Sequence, residues 1–376
     1  MNLRPMWPLR RLRRMLAALA AACGCATATA QMPPLFTIRA GDLFGLIDAS
    51  GRVLLPPEYA EVKIGDPLVM VRRGNRTAYV DATGRMVVQP QEAWTQPFSE
   101  GLVPAPQKDA QGRYRYGYAE PNGTLAIAAT FDEAGPFVGG LAVVGQLDAW
   151  GTLKYGAIDR SDKLVVPATH DKLLTPAAGL VRSESKERRH RVFDVKGRDI
   201  TPPDIDFVGI PSDGMVRVWS GRAQGFMTLA GELRIKPTYQ QAGDFKEGRA
   251  KVWIAGKYGF VDRDGKLVVP ALFDAAEDYA DGLALVSREG RQSFIDAKGE
   301  VALQPQAERA WSFSGGLAVV RVAGRHGYMD RRGRIVIEPQ YAFARPFGNG
   351  LAYVGMGRES AYIRPDGQAV WRSTGP

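Results

Sequence analysis

Apolar and polar residues alternate in short runs along nearly the whole chain, and the runs come in threes. Residues 249–270 are the clearest specimen. Ala250-Lys-Val-Trp-Ile254 alternates and predicts a strand, Ala255-Gly-Lys257 a turn, and Tyr258-Gly-Phe-Val261 a second strand. Asp262-Arg-Asp-Gly265 reads as a tight turn with Gly265 at a positive-φ position. Lys266-Leu-Val-Val269 reads as a third strand, ended by Pro270. Two short turns in succession make an antiparallel three-stranded meander. About a dozen residues, with Phe273 and Tyr279 as apolar anchors, lead to the next copy.

The pattern has a fixed period. Phe245, Tyr279, Phe313 and Phe347 recur every 34 residues, and Gly248, Gly282, Gly316 and Gly350 keep the same step. Upstream the spacing loosens: Gly117 and Gly156 are 39 apart, with extra turn residues such as Lys108 to Arg113. About ten units are predicted, centred near 46, 79, 117, 157, 192, 226, 260, 294, 328 and 362. Such a chain is all-β, and each unit is too small to bury its own apolar faces without its neighbours.

The recurring residues have structural work to do. Asp48, Asp81, Asp159, Asp262, Asp296 and Asp330 end the middle strand, where a carboxylate can accept N–H bonds from the turn. Gly51, Gly84, Gly265, Gly299, Gly333 and Gly367 suit the left-handed position of that turn. The glycine after the aromatic in Phe44-Gly45, Tyr116-Gly117, Tyr155-Gly156 and Tyr258-Gly259 leaves room for a neighbouring ring or backbone.

The full phrase, aromatic-Gly followed by Asp-x-x-Gly, three apolar residues and Pro, then Phe-x-x-Gly-Leu-Ala-x-Val, resembles the WG-repeat family of bacterial proteins. The resemblance covers nearly all of residues 35–371. No copy reads Trp-Gly; Tyr, Phe, His or Gln precedes the glycine instead, with Gln224 and His326 the largest departures. The resemblance implies a β-repeat array, often propeller-like, with no shared enzymatic activity and no catalytic residues to carry over. Propellers usually have roughly four to eight blades. Both ends of the array fall in the same phase with no sign of a shared strand. That favours an open curved array over a closed ring.

The first thirty residues stand apart. Arg4, Arg10, Arg11, Arg13 and Arg14 precede a short apolar run, Met15 to Ala22, and Ala28-Thr-Ala30 matches a signal-peptidase site. Residues 1–30 are therefore predicted to be a signal peptide and residues 31–376 the repeat domain, exported to the periplasm or beyond. A second processing route also fits: Leu19-Ala-Ala-Ala-Cys23 resembles a lipobox, which would anchor the protein to the outer membrane through lipid on Cys23. No other stretch is apolar enough for a transmembrane segment. Cys23 and Cys25 are the only cysteines, so cleavage after Ala30 leaves none and excludes thiol catalysis and zinc-thiolate sites. The net charge of +9 includes those five arginines; without them 44 basic residues face 40 acidic ones, a balance that does not mark a nucleic-acid binder.

Candidate chemistry lies where copies deviate. The weakest copies span about 170–222, where a charged run carrying Lys186, Arg188, Arg189 and Arg191 replaces the expected turn and strand. It reads as a contact for an acidic partner or as a solvated turn. Trp94, Trp219, Trp253 and Trp311 do not share one repeat position and offer stacking surfaces for sugar rings or peptides, or core filling. Trp219 and Trp253 are placed in strands, Trp94 and Trp311 in connections. Asp262-Arg-Asp264-Gly265 resembles the opening of a calcium loop but lacks its later ligands. His170, His190 and His326 show no ligand spacing, and no cofactor, metal or hydrolase motif is present. These features predict a non-enzymatic envelope scaffold that recognises a protein or glycan. The alternatives are a glycan-active hydrolase or lyase with acids in a central cleft, and a purely structural envelope component.

Overall fold

The computed structural model describes residues 32–185 and 189–373. The predicted signal peptide, Cys23 and its lipid anchor, and the candidate residues Lys186 and Arg188 lie outside the described residues. Among the described residues every regular element is a strand: 36 of them form ten antiparallel sheets. The sheets span 35–59, 61–92, 103–131, 133–170, 173–193, 207–239, 250–273, 275–303, 309–341 and 343–372, and each predicted unit centre falls inside one. Among the described residues no helix is long and apolar enough to cross a membrane.

The ninth sheet is typical. Arg309–Ser314, Leu317–Val322, Arg325–Met329 and Ile335–Tyr341 follow one another in order across it. The last three strands are the predicted meander. The first, here called the lead strand, comes from the segment read as a connection. Six of the ten sheets have this fourth strand. It can be as short as Ala275–Ala276, too brief for alternation to register. In the seventh sheet the lead segment makes only isolated bridges, such as Ala242 to Val252.

Backbone proximity explains the recurring aromatic-Gly pair. In the seventh sheet Tyr258 pairs with Phe273 and Phe260 with Val269, so the last strand, Leu267–Phe273, bulges outward between those pairs. The bulge folds its carbonyls over Gly259, where a Cβ would stand 2.6 Å from the Val269 oxygen and 2.8 Å from the Ala271 nitrogen. Gly156 and Gly327 meet Val166 and Ile337 in the same way. The close neighbour is the backbone of the same sheet.

The turn aspartates work as predicted. Asp81 Oδ1 accepts hydrogen bonds from the Thr83 N–H (2.9 Å), the Thr83 hydroxyl (2.6 Å) and the Arg85 N–H (3.1 Å), closing the turn around Gly84. Burial alone would raise the Asp81 pKa, but these bonds outweigh it and bring the value from 3.8 to about 2. Asp48, Asp109, Asp159, Asp194 and Asp330 shift downward for the same kind of reason. A depressed carboxylate stabilises the fold fully above its unfolded pKa, and the contribution fades as pH falls through the folded value. Burial also holds the pKa values of His170 and His190 down, so thermal melts should decline modestly below about pH 6.5 and steeply from about pH 4 toward pH 2. An Asp81→Asn variant should melt lower than wild type at pH 7 and approach it at pH 2; parallel pH curves would refute the assignment.

Packing occurs between sheets. Nine apolar clusters fill the nine joints between consecutive sheets. The joint between sheets seven and eight, for example, buries Phe260, Val269, Tyr279, Ala284, Val286 and Ile295. Burying one such large side chain contributes roughly 1.5–3 kcal/mol. Polar clasps run alongside. In the turn after the lead strand, Asp213, Glu247 and Asp281 accept the N–H of Gly248 (2.5 Å), Gly282 (2.8 Å) and Gly316 (2.7 Å) in the following sheet. Ser212 and Ser314 donate to the Phe245 and Phe347 carbonyls one sheet on, at 2.8 and 2.6 Å.

The array closes into a ring, a ten-bladed β-propeller, and so corrects the expectation that favoured an open array. The Asp-x-x-Gly turns of Gly51, Gly84, Gly197, Gly265, Gly299 and Gly333 press the glycine against the last strand of the preceding sheet: a Cβ on Gly84 would lie 2.5 Å from the Leu54 oxygen. Gly51 of the first sheet meets Val370 of the last, where a Cβ would stand 2.7 Å from the Val370 carbonyl carbon and nearer still to its oxygen. No strand is shared between the two sheets, which is why matching phases at the two ends coexist with closure.

Candidate functional site

The drifted fifth sheet places its charged residues at a cleft of about 460 Å³. Arg189 is exposed, and its backbone carbonyl takes the Ser185 N–H at 2.9 Å in the turn between two strands. Arg191 bonds Asp199 at 2.5 Å. His170, Asp171 and Glu184 also line the cleft, with Asp171 on Lys154 and Glu184 on Lys172. Burial, then the charge of Arg191, holds the His170 pKa down. Behind them His190 and Arg182 are buried, and Arg182 donates to the Val208 carbonyl at 3.1 Å. The cleft thus brings Arg189 and Arg191 together with carboxylates already engaged by lysines.

The four candidate tryptophans are half-buried and scattered. Trp94 packs on the joint between sheets two and three, 5.8 Å from Tyr79. Trp311 lies in the lead strand of the ninth sheet, not in a connection, with Arg309 5.0 Å over its ring. Trp219 and Trp253 hold equivalent positions in adjacent sheets, opposite Gln224 and Tyr258 respectively, so these two do share a repeat position. Trp219 stacks under Arg217 at 4.7 Å and against Phe207 at 4.8 Å. Among the described residues the most exposed tryptophan is Trp150, 91% accessible in a turn of the fourth sheet. Among the described residues no group of three or more His, Cys, Asp or Glu could hold a metal ion.

Sequence reasoning missed a groove of about 510 Å³ at the seam between the last sheet and the first. Its walls carry Phe36, Arg39, Phe44, Arg345, Tyr353 and Tyr362. Arg39 lies 5.6 Å over the Phe44 ring and Arg345 5.9 Å over Tyr353, while Tyr362 packs on Phe36 at 5.4 Å. Burial raises the Tyr362 pKa, and its hydroxyl donates to the Thr37 carbonyl at 2.9 Å. None of the residues lining the groove is acidic. One signal was available: Gly348-Asn349 stands where other copies have Ser with Asp, or an acid, at the clasping turn.

The family described as "WG containing repeat" matches residues 44–74, 116–150, 225–258, 258–291, 293–325 and 327–357. No curated protein matches the sequence. Among solved structures, one described as the eukaryotic initiation factor superposes with a TM-score of 0.51 at 11% identity, covering 91% of this chain and 96% of that one. AztD of Citrobacter koseri follows at TM-score 0.33 and 12% identity, covering 91% and 95%. Hsv2p of Kluyveromyces lactis has TM-score 0.33 and 10% identity, covering 60% and 89%. The likeness to the first is one of fold alone.

Proposed function

The chain belongs to the family of WG-containing repeat proteins, and from that premise we propose that it is an exported, non-enzymatic binding scaffold of the bacterial cell envelope. It recognises a protein or glycan through the surface of its repeat ring. One observation carries the reading: the recurring polar residues are engaged in the fold. Turn aspartates such as Asp81 and Asp262 hold backbone amides of their own turns. Asp213, Glu247 and Asp281 hold amides of the next sheet. What remains for recognition is the variable surface: aromatic faces capped by arginines at Trp219, Trp311 and Tyr353. Export rests on the basic head, apolar run and Ala28-Thr-Ala30 of the sequence.

Cell fractionation and affinity capture test this together. The protein should appear in the envelope or medium with its leader removed. It should retain a specific partner, or bind peptidoglycan or an arrayed glycan, without altering it. Turnover of a sugar polymer that one Asp or Glu substitution abolishes would replace this reading with a hydrolase or lyase.

A further inference from the structure

Among the described residues, the seam groove coincides with a missing strand. The aromatic-Gly pair Phe44-Gly45 places Leu43–Asp48 at the third-strand position of the first sheet, so Leu35–Ala40 is its second strand. No described residue supplies a lead strand there. In other sheets the lead strand sets an alanine opposite a valine of the second: Ala134 opposite Val144, Ala276 opposite Val286, Ala344 opposite Val354. Ile38, opposite Gly45, is the counterpart of those valines. The residue before each valine accepts an N–H from the lead strand. Val143 O takes Gly135 (2.8 Å), Leu285 O takes Glu277 (2.8 Å) and Tyr353 O takes Arg345 (2.9 Å). Thr37 O is the counterpart of these acceptors.

A tyrosine marks the same place. Tyr79, Tyr118 and Tyr328 each donate to a lead-segment carbonyl of the next sheet: Gln96, Gly135 and Arg345, at 2.7, 2.9 and 2.8 Å. Tyr362 holds the same repeat position, yet its hydroxyl reaches Thr37 O on the second strand instead. Among the described residues both clasps are absent as well. Gly348 and Asn349 stand where Ser314 and Asp281 hold the next sheet elsewhere, and no apolar cluster fills this joint among the described residues.

We propose that the seam groove binds an extended peptide segment of a partner protein, which adds to the first sheet as its lead strand, antiparallel to Leu35–Ala40. The exposed edge supplies the outward backbone groups of Arg39 and Thr37 O, which the Tyr362 hydroxyl releases by turning to a carbonyl of the incoming strand, as Tyr79, Tyr118 and Tyr328 do. The wall over Ile38 takes a small side chain. Arg39 and Arg345, facing a groove without carboxylates, select acidic residues on either side of it; Arg39 meanwhile rests on exposed Asp42 at 2.8 Å. Lead segments of this chain already have that composition. Asp274-Ala-Ala-Glu-Asp-Tyr279 sets Ala276 opposite Val286 with acids to both sides. The inference deepens the scaffold reading above by naming its partner class.

The probe is a fluorescent peptide of the sequence Asp-Ala-Ala-Glu-Asp-Tyr with short flanks, added to the full chain. Anisotropy should report saturable binding, and amide exchange within Leu35–Ala40 should slow when the peptide is present. Arg39→Glu with Arg345→Glu should weaken binding at least tenfold while leaving the melting temperature unchanged, since both side chains are exposed. On the wild-type protein, a peptide with Pro at the Glu position should fail to bind, because it lacks the N–H that Thr37 O would accept. Three results would each overturn the proposal: unaltered exchange on peptide addition, equal binding by the double variant or the Pro peptide, and Leu35–Ala40 already protected without peptide because the chain covers its own edge. Envelope partners captured equally by the double variant would leave the scaffold reading standing and remove only the groove.

Discussion

Gly259→Ala is expected to cost about 3 kcal/mol or more of folding stability, and Gly256→Ala, three residues away, only about 1 kcal/mol. Each glycine is needed for a different reason. Gly259 sits under the bulged last strand, where a methyl would stand 2.6 Å from the Val269 carbonyl oxygen. Relief requires moving the backbone that pairs Phe260 with Val269, and with it the core of the joint between sheets seven and eight. Gly256 has open space within 4 Å but a φ of +85°, so alanine there meets only the penalty of a left-handed backbone. Asparagine separates the two cases. It tolerates that conformation, so Gly256→Asn should be nearly neutral, whereas Gly259→Asn should be at least as damaging as alanine. Denaturant melts of the four variants check this, and equal losses at the two positions would refute the account of the aromatic-Gly pair.

Gly51→Ala and Gly84→Ala should both lose about 2–4 kcal/mol, because ring closure gives them the same surroundings. Both have positive φ, and both abut the last strand of the preceding sheet, Gly84 at Leu54 and Gly51 at Val370. Gly123→Ala supplies the reference. That turn glycine has a φ of +85° and nothing within 4 Å, so its variant should lose about 1 kcal/mol. In an open array Gly51 would have no neighbouring sheet and would behave like Gly123. Small-angle scattering of the wild type gives an independent reading: a compact, disc-like profile accompanies the ring.

The repeat units and their turns were legible because alternation and Asp-x-x-Gly turns are local. All ten centres and the role of the turn aspartates followed from them. Lead strands were not legible, since two residues such as Ala275–Ala276 show no period. Closure was hidden for another reason. Gly51 serves the turn of its own sheet and the contact with Val370 at once, and a glycine in phase reads the same whether or not a sheet stands beside it. Candidate positions taken one at a time fared unevenly. Arg189 and Arg191 do meet at one cleft, but Trp311 proved to be a strand residue, and the tryptophans line no common site. The seam groove depends on Thr37 and Tyr362, which lie 325 residues apart. Only the departures Gly348 and Asn349 hinted at it from within one copy.

The clasps between sheets have a consequence for descent. In the sixth, seventh and eighth sheets the carboxylate reaches an amide 35 residues ahead, at Gly248, Gly282 and Gly316, so one repeat length of chain holds one half of two successive joints. A gene that duplicates or loses one such stretch in frame inherits complete joints on both sides, with no new interface to evolve. Gain or loss of a whole blade within that stretch therefore leaves the clasp pattern intact. The seam between Tyr362 and Thr37, made of unlike halves, is the one joint that copying cannot regenerate.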